Sequence, residues 1–513
     1  MSRRFYLQTV GCQMNVLDSE LVTAMLVGAG YAPVDRPDRA DLVLFNTCSV
    51  RQHAEDKIYS ALGRLKTWKQ QRPGRVLGVL GCMAQKDRER IFERAPHVDL
   101  VVGPGQLGLL PMLLDGLAAG GSPRIEISLD RASGDRRAVR TSHALHVPVR
   151  NIEASCGAAP YQAMVRVMFG CDKFCSYCIV PSVRGPEQSR PAEEIVEEVR
   201  RLADAGCVEV TLLGQTVNSY CDRSGPTPVR LADLLGRVHE IDGVRRLKFV
   251  TNHPRHMTDE LLQAMRDLPK VSPYLHVPAQ SGSNAVLERM KRGYTVEAYR
   301  EMLARIRQFV PGAAVTSDFI VGFCGETESE FQETVELVRH ARFKNSFIFK
   351  YSARPGTRAA ELFADDVSES VKRRRNNELL AVQDAISLED NQPYLGRTVE
   401  VLVEGPSKAA KKRKRNRADG AACPNTTEEG ADFLKSEADD AARPHPNPLP
   451  AGEGTFFGPD VVLADAQNMV QLVGRTTCDR IVVFDGPEQW TGRILPVAVE
   501  KVDAFTLFGK PAI

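Results

Sequence analysis

Three cysteines near the start of the chain each stand at the end of a short apolar run. Cys12 follows "RFYLQTV", Cys48 closes "DLVLFNT" and Cys82 follows "RVLGVLG". Such runs, each followed by an amphipathic stretch like "AEDKIYSALGRLKTW", mark parallel strands buried on both faces and joined by helices. They predict a doubly wound α/β domain over 1–150. Strand ends of an open α/β sheet face one crevice, so Cys12, Cys48 and Cys82 can converge although 36 and 34 residues separate them. Isolated buried cysteines are the plain alternative. Three in equivalent places favour a shared iron–sulfur cluster that leaves one iron without a cysteine. The polar, aperiodic "DRASGDRRAVRTSHALHVP", near 130–155, reads as a linker.

A second triad is packed into one segment. In "FGCDKFCSYCIV", Cys171, Cys175 and Cys178 follow an apolar run at spacing C-x3-C-x2-C. A zinc knuckle needs a fourth Cys or His nearby, and the next residues, "IVPSVRGPEQSR", offer none. A four-iron cluster with one open iron is the sharper reading, since four cysteines are the usual complement. The run before this triad is the first of six candidate strands. "VEVTLLG", "RLKFVTN", "PYLHVPA", "GAAVTSDFIVGF" and "NSFIFKYS" follow, separated by amphipathic helices such as "PAEEIVEEVRRLADAG". Together they predict a partial (β/α)6 barrel over 157–390, with its chemistry at the C-terminal ends of the strands.

Glycine and amide motifs stand at those ends. "LLGQTVNSY" supplies Gly214, Gln215 and Asn218, and "HVPAQSGS" supplies Gln280 and Ser281. Glycine lets a ligand approach backbone closely, so these residues are expected to line a nucleoside-cofactor pocket. Cys207 reads as core, and Cys156, Cys221, Cys324, Cys423 and Cys478 have no matching partners. His53, His253 and His276 read as structural or pocket-lining, and no acid–base pair is assigned.

The last third, 393–512, predicts a small β-barrel of OB-like character from "GRTVEVLVEGPSK", "VQLVGRTTCDRIVVFDGP" and "GRILPVAVEKVDAFTLFG". It is interrupted at about 409–465 by a low-complexity insertion expected to be disordered. Lys and Arg total 67 against 65 Asp and Glu, so no global field announces a nucleic acid and any binding must be local. Arg397, Lys408, Arg475, Arg480 and Arg493 are candidate RNA phosphate contacts. The N-terminus lacks a secretory apolar region and no 18-residue apolar run appears, so a cytoplasmic monomer without membrane contact is expected.

The C-x3-C-x2-C loop, with Tyr177 before its last cysteine and a six-strand barrel behind it, resembles the radical S-adenosylmethionine (SAM) superfamily. The preceding three-cysteine domain and the following TRAM-like barrel make the chain similar to the methylthiotransferases of that superfamily, over all but the insertion. "GCQMN", "NTCSVRQHAEDK", "VPSVRGPEQSR" and "QLVGRT" are nearest to the branch acting on isopentenyladenosine in tRNA. Cys324, Ala353 and Asn252 depart from the usual Pro, Pro and Ser. The resemblance implies two [4Fe-4S] clusters, the auxiliary one on Cys12, Cys48 and Cys82 and the SAM-binding one on Cys171, Cys175 and Cys178. Tyr177 joins Gly214, Gln215, Asn218, Gln280 and Ser281 as implied SAM contacts. It implies that a 5′-deoxyadenosyl radical takes hydrogen from C2 of N6-isopentenyladenosine at position 37, next to the anticodon. A sulfur methylated by another SAM then bonds there. A tRNA anticodon stem-loop, an electron donor of flavodoxin or ferredoxin type and a sulfur or cluster supplier are the implied partners. Methylthiolation of threonylcarbamoyl-adenosine or of a ribosomal-protein aspartate remains open, as does a zinc-stabilised RNA-binding protein.

Overall fold

A computed structural model describes residues 3–49, 52–128, 161–413 and 469–512. In it the strand Leu42–Thr47 (β3) is buried at every residue, as a central strand covered on both faces must be. It shares a six-stranded sheet with β1 (Arg4–Val10), β2 (Ala32–Pro33), β4 (Val76–Gly81), β5 (Leu100–Val102) and β6 (Arg124–Glu126). Their order is β2-β1-β3-β4-β5-β6, and every pairing is parallel. One apolar layer gathers around Phe45, Ile58, Leu62 and Trp68 on the helix Gln52–Gln70 side, and the other around Val22, Leu26, Leu44 and Leu113. The first domain is therefore doubly wound, as its sequence pattern predicts. The linker expected at 130–155, with Cys156 just beyond it, lies outside the described residues.

Register decides where the strands end. Val10 lies beside Thr47, and Thr47 beside Gly81, so the three central strands stop level with one another. The order reverses between β1 and β3, where such a sheet leaves its crevice. The helices α1 (Gln13–Gly28) and α3 (Cys82–Asp87) begin at that edge.

The central strands form two parallel triplets. One is β7 (Gln162–Arg166), β10 (Glu209–Leu213) and β13 (Arg246–Phe249); the other is β14 (Tyr274–His276), β15 (Ala314–Val321) and β16 (Asn345–Lys350). Leu247 bridges to Val271 where the triplets meet. Asn252 adds two donations to the His276 carbonyl, from its backbone N at 3.0 Å and its Nδ2 at 3.1 Å. Among the described residues β7 and β16 do not pair, so the barrel is partial, as expected. Helices cover its outside, each by an apolar stripe. In Ala192–Asp204 the buried residues are Ala192, Ile195, Val196, Val199, Leu202 and Ala203, the spacing of one helical face. Two short antiparallel pairs sit beside the strands, β8 (Met168–Phe169) with β9 (Gln188–Ser189) and β11 (Cys221–Asp222) with β12 (Val229–Arg230).

After the long helix Glu369–Asn391, five strands close a barrel around Val403, Leu472, Phe484, Val497 and Leu507. They are β17 (Thr398–Pro406), β18 (Met469–Thr476), β19 (Ile481–Pro487), β20 (Ile494–Val502) and β21 (Thr506–Pro511). The insertion starts later than its composition suggests. Residues 408–413 are helical, capped by Ser407, whose Oγ accepts from Ala410 N at 3.1 Å. The rest of the insertion, with Cys423, lies outside the described residues.

The turn between β18 and β19 closes the underside of the central barrel, at the N-terminal ends of its strands. Asp479, at φ +64° on that turn, accepts from Lys248 at 3.2 Å and pairs with Arg475 at 3.0 Å. Lys248 also pairs with Glu209 at 3.0 Å, and Arg475 with Glu404 at 3.0 Å. Burial alone would disfavour a charge on Asp479; Arg475, Lys344 and Lys248 outweigh it and hold the carboxyl well below the usual carboxylate range. The small barrel is thereby fixed to the end of the central domain opposite the Cys171 loop.

Candidate metal centres and active site

The three level strand ends carry Cys12, Cys48 and Cys82. Neighbouring strands lie about 4.8 Å apart, so the triad spans the breadth of two strand spacings. A buried pair of amides holds it. Asn15 Oδ1 accepts from Cys12 N at 3.4 Å and Cys12 Sγ at 3.3 Å, while its Nδ2 donates to Asn46 Oδ1 at 3.1 Å and Thr47 O at 3.3 Å. Asn46 Nδ2 returns to Asn15 O and Ser19 Oγ, both at 2.9 Å. Thr47 Oγ1 reaches Leu80 O at 3.2 Å, tying in β4. This packing leaves no room at Gly81 (φ +88°), where a Cβ would stand 2.4 Å from Asn46 Oδ1. Cys12 is the exposed member; Cys48 and Cys82 are buried. A hydrogen bond with Cys48, then Arg184 and the backbone around Asn15, bring the Cys12 thiol down to about 6, against the desolvation of its sulfur by the surrounding protein. Burial pushes Cys82 up, with Arg184 opposing.

The loop triad is held by its own backbone and by the segment 289–292. Cys171 N donates to Gly185 O at 3.1 Å, and Cys178 N to Cys175 O at 3.0 Å. Gly170 (φ +69°) needs to be glycine, because a Cβ would meet Pro186 O at 1.9 Å. Ser176 donates its N to Met290 O at 3.0 Å and its Oγ to Arg289 O at 2.8 Å. Arg292 Nη1 donates to Cys175 Sγ at 3.2 Å. Burial pushes Cys178 up to about 12, and Cys175 adds to the effect.

The two triads meet across one domain junction. The helix Val180–Arg184, which starts just after Cys178, packs on α3, and Cys82 shares an apolar cluster with Ile179 and Val183. Arg184 Nη2 donates to Asp18 Oδ2 at 2.7 Å; Arg166 holds the other oxygen of Asp18. All three side chains are buried. Met14 and Leu17 pack against Leu213. Arg354 donates to Ser49 O at 3.0 Å, and its charge is felt by both Cys48 and Cys178.

The expected pocket residues are not all equally open to a ligand. Asn218 clamps His253, its Nδ2 donating to His253 O at 2.9 Å and its Oδ1 accepting from His253 N at 2.8 Å. Ser281 Oγ is with Thr334 Oγ1 at 3.2 Å and accepts from Ser283 N at 3.2 Å. Gly214 is required by Met168, whose Cγ would be 2.3 Å from an added Cβ. Gln280 adopts φ +71°, with its backbone joined to Asp318 O at 2.8 Å and Ile320 N at 2.9 Å. Gln215 is half-buried, and Tyr177 lies 3.5 Å from Arg292 Nη1 through its Oη. His253 is kept neutral by burial and by Arg292, down to about 2. His276 contacts Thr316 Oγ1 at 3.0 Å, and the side chain of His53 lies outside the described residues. Cys207 is core, and Cys324 packs with Phe323 and Tyr351.

The candidate RNA contacts divide. Arg397 and Lys408 are exposed and Arg493 is half-buried. Arg475 belongs to the buried junction with Glu404 and Asp479. Arg480 lies 4.5 Å over the Tyr394 ring and reaches Asp390 O at 3.5 Å. Arg475 faces the underside of the central barrel, because the β18–β19 turn is drawn to its charged strand ends, whereas Arg480 packs at the end of the helix Glu369–Asn391.

Each triad gathers three thiols, the donor type that iron–sulfur clusters take. The buried cations Arg292 and Arg184, each facing a cysteine, suit the anionic charge that such a group carries. Sequence reasoning did not single out Asp18, Arg292 or Arg354, and Asn15, Asn46 and Arg184 entered it only within quoted motifs. A buried-polar signal could have come from "FNT", where an amide interrupts an otherwise apolar strand.

Residues 165–338 match the Radical SAM superfamily, and residues 4–103 match the uncharacterized protein family UPF0004. A tRNA-2-methylthio-N(6)-dimethylallyladenosine synthase of Rhodopirellula baltica is 51% identical over 510 residues, covering 99% of this chain and 96% of its own. A synthase of the same name from Moorella thermoacetica is 38% identical over 510 residues, covering 99% and 98%. The radical SAM methyltransferase TsrM from Kitasatospora setae, solved with cobalamin and a [4Fe-4S] cluster bound, shares the fold. Its TM-score is 0.50 at 16% identity, over 70% of this chain and 77% of that one.

Proposed function

The chain belongs to the tRNA-2-methylthio-N(6)-dimethylallyladenosine synthase family, and we propose from this that it methylthiolates C2 of N6-isopentenyladenosine beside the anticodon of tRNA. The observation that carries the reading is the meeting of two cysteine triads at one junction, joined through Asp18 and its two arginines. One triad suits a SAM-binding [4Fe-4S] cluster, and the other an auxiliary cluster that presents sulfur.

When bound, the SAM-binding cluster supplies the electron that turns SAM into a radical source, which the weakly acidic C2–H bond requires in place of acid–base removal. The chain's own residues bind, orient and exclude water. Cys171, Cys175 and Cys178 hold one cluster at the C-terminal end of the barrel. The loops after β10 and β14 frame the adjoining space, stiffened by the Asn218–His253 clamp and the turn at Gln280. Asn15 and Asn46 keep the strand-end cysteines in place. Burial of Cys48 and Cys82, and the apolar contact of Cys82 with Ile179 and Val183, keep water from the gap. Arg354, bonded to the Ser49 carbonyl next to Cys48, is placed to orient that strand end.

The substrate base is reached most easily in an anticodon loop, where unstacking costs a few kcal/mol or less. The exposed Arg397 and Lys408 suit phosphate contacts on the small barrel. A flavodoxin- or ferredoxin-type donor and a sulfur or cluster supplier would complete the reaction, and action on tRNA supports a cytoplasmic location. Among the described residues no helix is long and apolar enough to cross a membrane. Anaerobic reconstitution tests the reading. About eight irons per chain, with methylthiolated base formed on an isopentenylated anticodon stem-loop, are expected; zinc without an iron chromophore would overturn it.

A further inference from the structure

Arg292 is 8% exposed, and its guanidinium is fully engaged. Nε donates to Tyr294 Oη at 3.0 Å and Nη2 to Pro278 O at 3.1 Å. Nη1 donates to Cys175 Sγ at 3.2 Å and lies 3.5 Å from Tyr177 Oη. Phenols, a carbonyl and a sulfur are all neutral or soft partners. Among the described residues no carboxylate forms an ion pair with Arg292. The nearby His253, whose ring is 5.6 Å from Tyr294, brings no negative charge. A buried guanidinium without a counter-charge is unfavourable. The Cys175 sulfur is the one partner that becomes anionic when it ligates metal. Arg184 differs in having a carboxylate beside it, Asp18 at 2.7 Å, which it shares with Arg166.

We propose that Arg292 is a positioning residue that raises the reduction potential of the cluster held by Cys171, Cys175 and Cys178. It does so by donating to the Cys175 sulfur and setting an uncompensated positive charge beside it. This rests on the reading that those cysteines hold a four-iron cluster. Reduction by a low-potential one-electron donor protein adds one electron and no proton, so the gained negative charge stays on the cluster. A buried cation and a hydrogen bond to ligand sulfur both favour that state. Arg292 also links the cluster loop to the strand-end loop, since Tyr294 Oη, which accepts from it, donates to Ala279 O at 2.8 Å. The same side chain thus sets both the potential and the placement of the pocket wall.

The test uses the full chain with Cys12, Cys48 and Cys82 replaced by Ala, reconstituted anaerobically so that one cluster is observed. Iron content and an electron paramagnetic resonance redox titration are then compared with and without Arg292→Gln or Arg292→Lys. The glutamine variant should lower the reduction equilibrium constant at least tenfold, about 59 mV for one electron. The lysine variant keeps the charge without the planar fork and should fall between. An unchanged potential at full iron content overturns the inference, and so does loss of iron in both variants, which would make Arg292 purely structural. A parent protein that binds no iron would instead defeat the underlying cluster reading.

Discussion

Cys171, Cys175 and Cys178 share one loop, while Cys12, Cys48 and Cys82 come from three strand ends of a parallel sheet. The loop triad is organised locally, by a positive-φ glycine, by its own turns and by donations to the carbonyls of residues 289 and 290. The strand-end triad is organised by register and by two buried asparagines. The cations differ too. Arg292 meets its cysteine without a carboxylate, whereas Arg184 shares the Asp18 carboxylate with Arg166. Similar donor sets therefore sit in different electrostatic surroundings. The difference teaches that a metal site can be encoded by spacing or by topology, and that the supporting residues follow the encoding.

Breaking one triad at a time separates their roles most strongly. Cys175→Ala should abolish SAM cleavage and product alike. Cys48→Ala should spare part of the cleavage, measured as 5′-deoxyadenosine by chromatography, while stopping methylthiolation. Full turnover in the Cys48 variant would refute the auxiliary role.

Asp18 is where the two regions are joined. Asp18→Ala leaves Arg166 and Arg184 buried without their partner, at a cost of about 3–5 kcal/mol. Urea denaturation of the iron-free proteins should show that loss; a change below about 1 kcal/mol, the level of an exposed pair, would mean that the junction does not depend on it.

Asn46→Ala addresses the strand-end triad alone. It removes the Asn46 partners of the Asn15 side-chain amide and of the Asn15 carbonyl, at about 1–3 kcal/mol, and should lower iron occupancy at the strand-end site while leaving SAM cleavage intact. Equal loss from both sites would erase the distinction between local and topological organisation.

The smallest effect concerns the loop side. Folding lowers His253 from 6.5 to about 2, so the unfolded chain binds the extra proton between those values. Stability is then unaffected above pH 6.5 and declines as pH falls below it, by at most about 1.4 kcal/mol per pH unit. His253→Asn should flatten that part of the acid slope in thermal melts. A slope identical to that of the parent would show that the histidine titrates normally.

The elements that local pattern encodes were legible. The apolar runs before Cys12, Cys48 and Cys82 are β1, β3 and β4, the six central runs are barrel strands, and the last runs close a five-stranded barrel. Partnerships between distant residues were not. Nothing in the spacing of Asp18, Arg166 and Arg184 announces that they meet, because three elements from two domains bring them together. Arg475 and Arg480 looked like surface cations, since sequence does not say which end of a neighbouring barrel a turn will enter. Ser407 and the helical residues 408–413 extend the ordered structure past β17, because a serine cap can start a turn in a segment whose composition reads as disordered.

If this chain puts sulfur and a methyl group on C2 of isopentenyladenosine, nucleoside mass spectrometry of total tRNA from a strain lacking it, compared with its parent, shows the loss. 2-Methylthio-isopentenyladenosine is expected to disappear and isopentenyladenosine to accumulate in its place, and the wild-type chain should restore the product while Cys175→Ala does not. An unchanged level of the methylthiolated nucleoside in the deletion strain would contradict that activity.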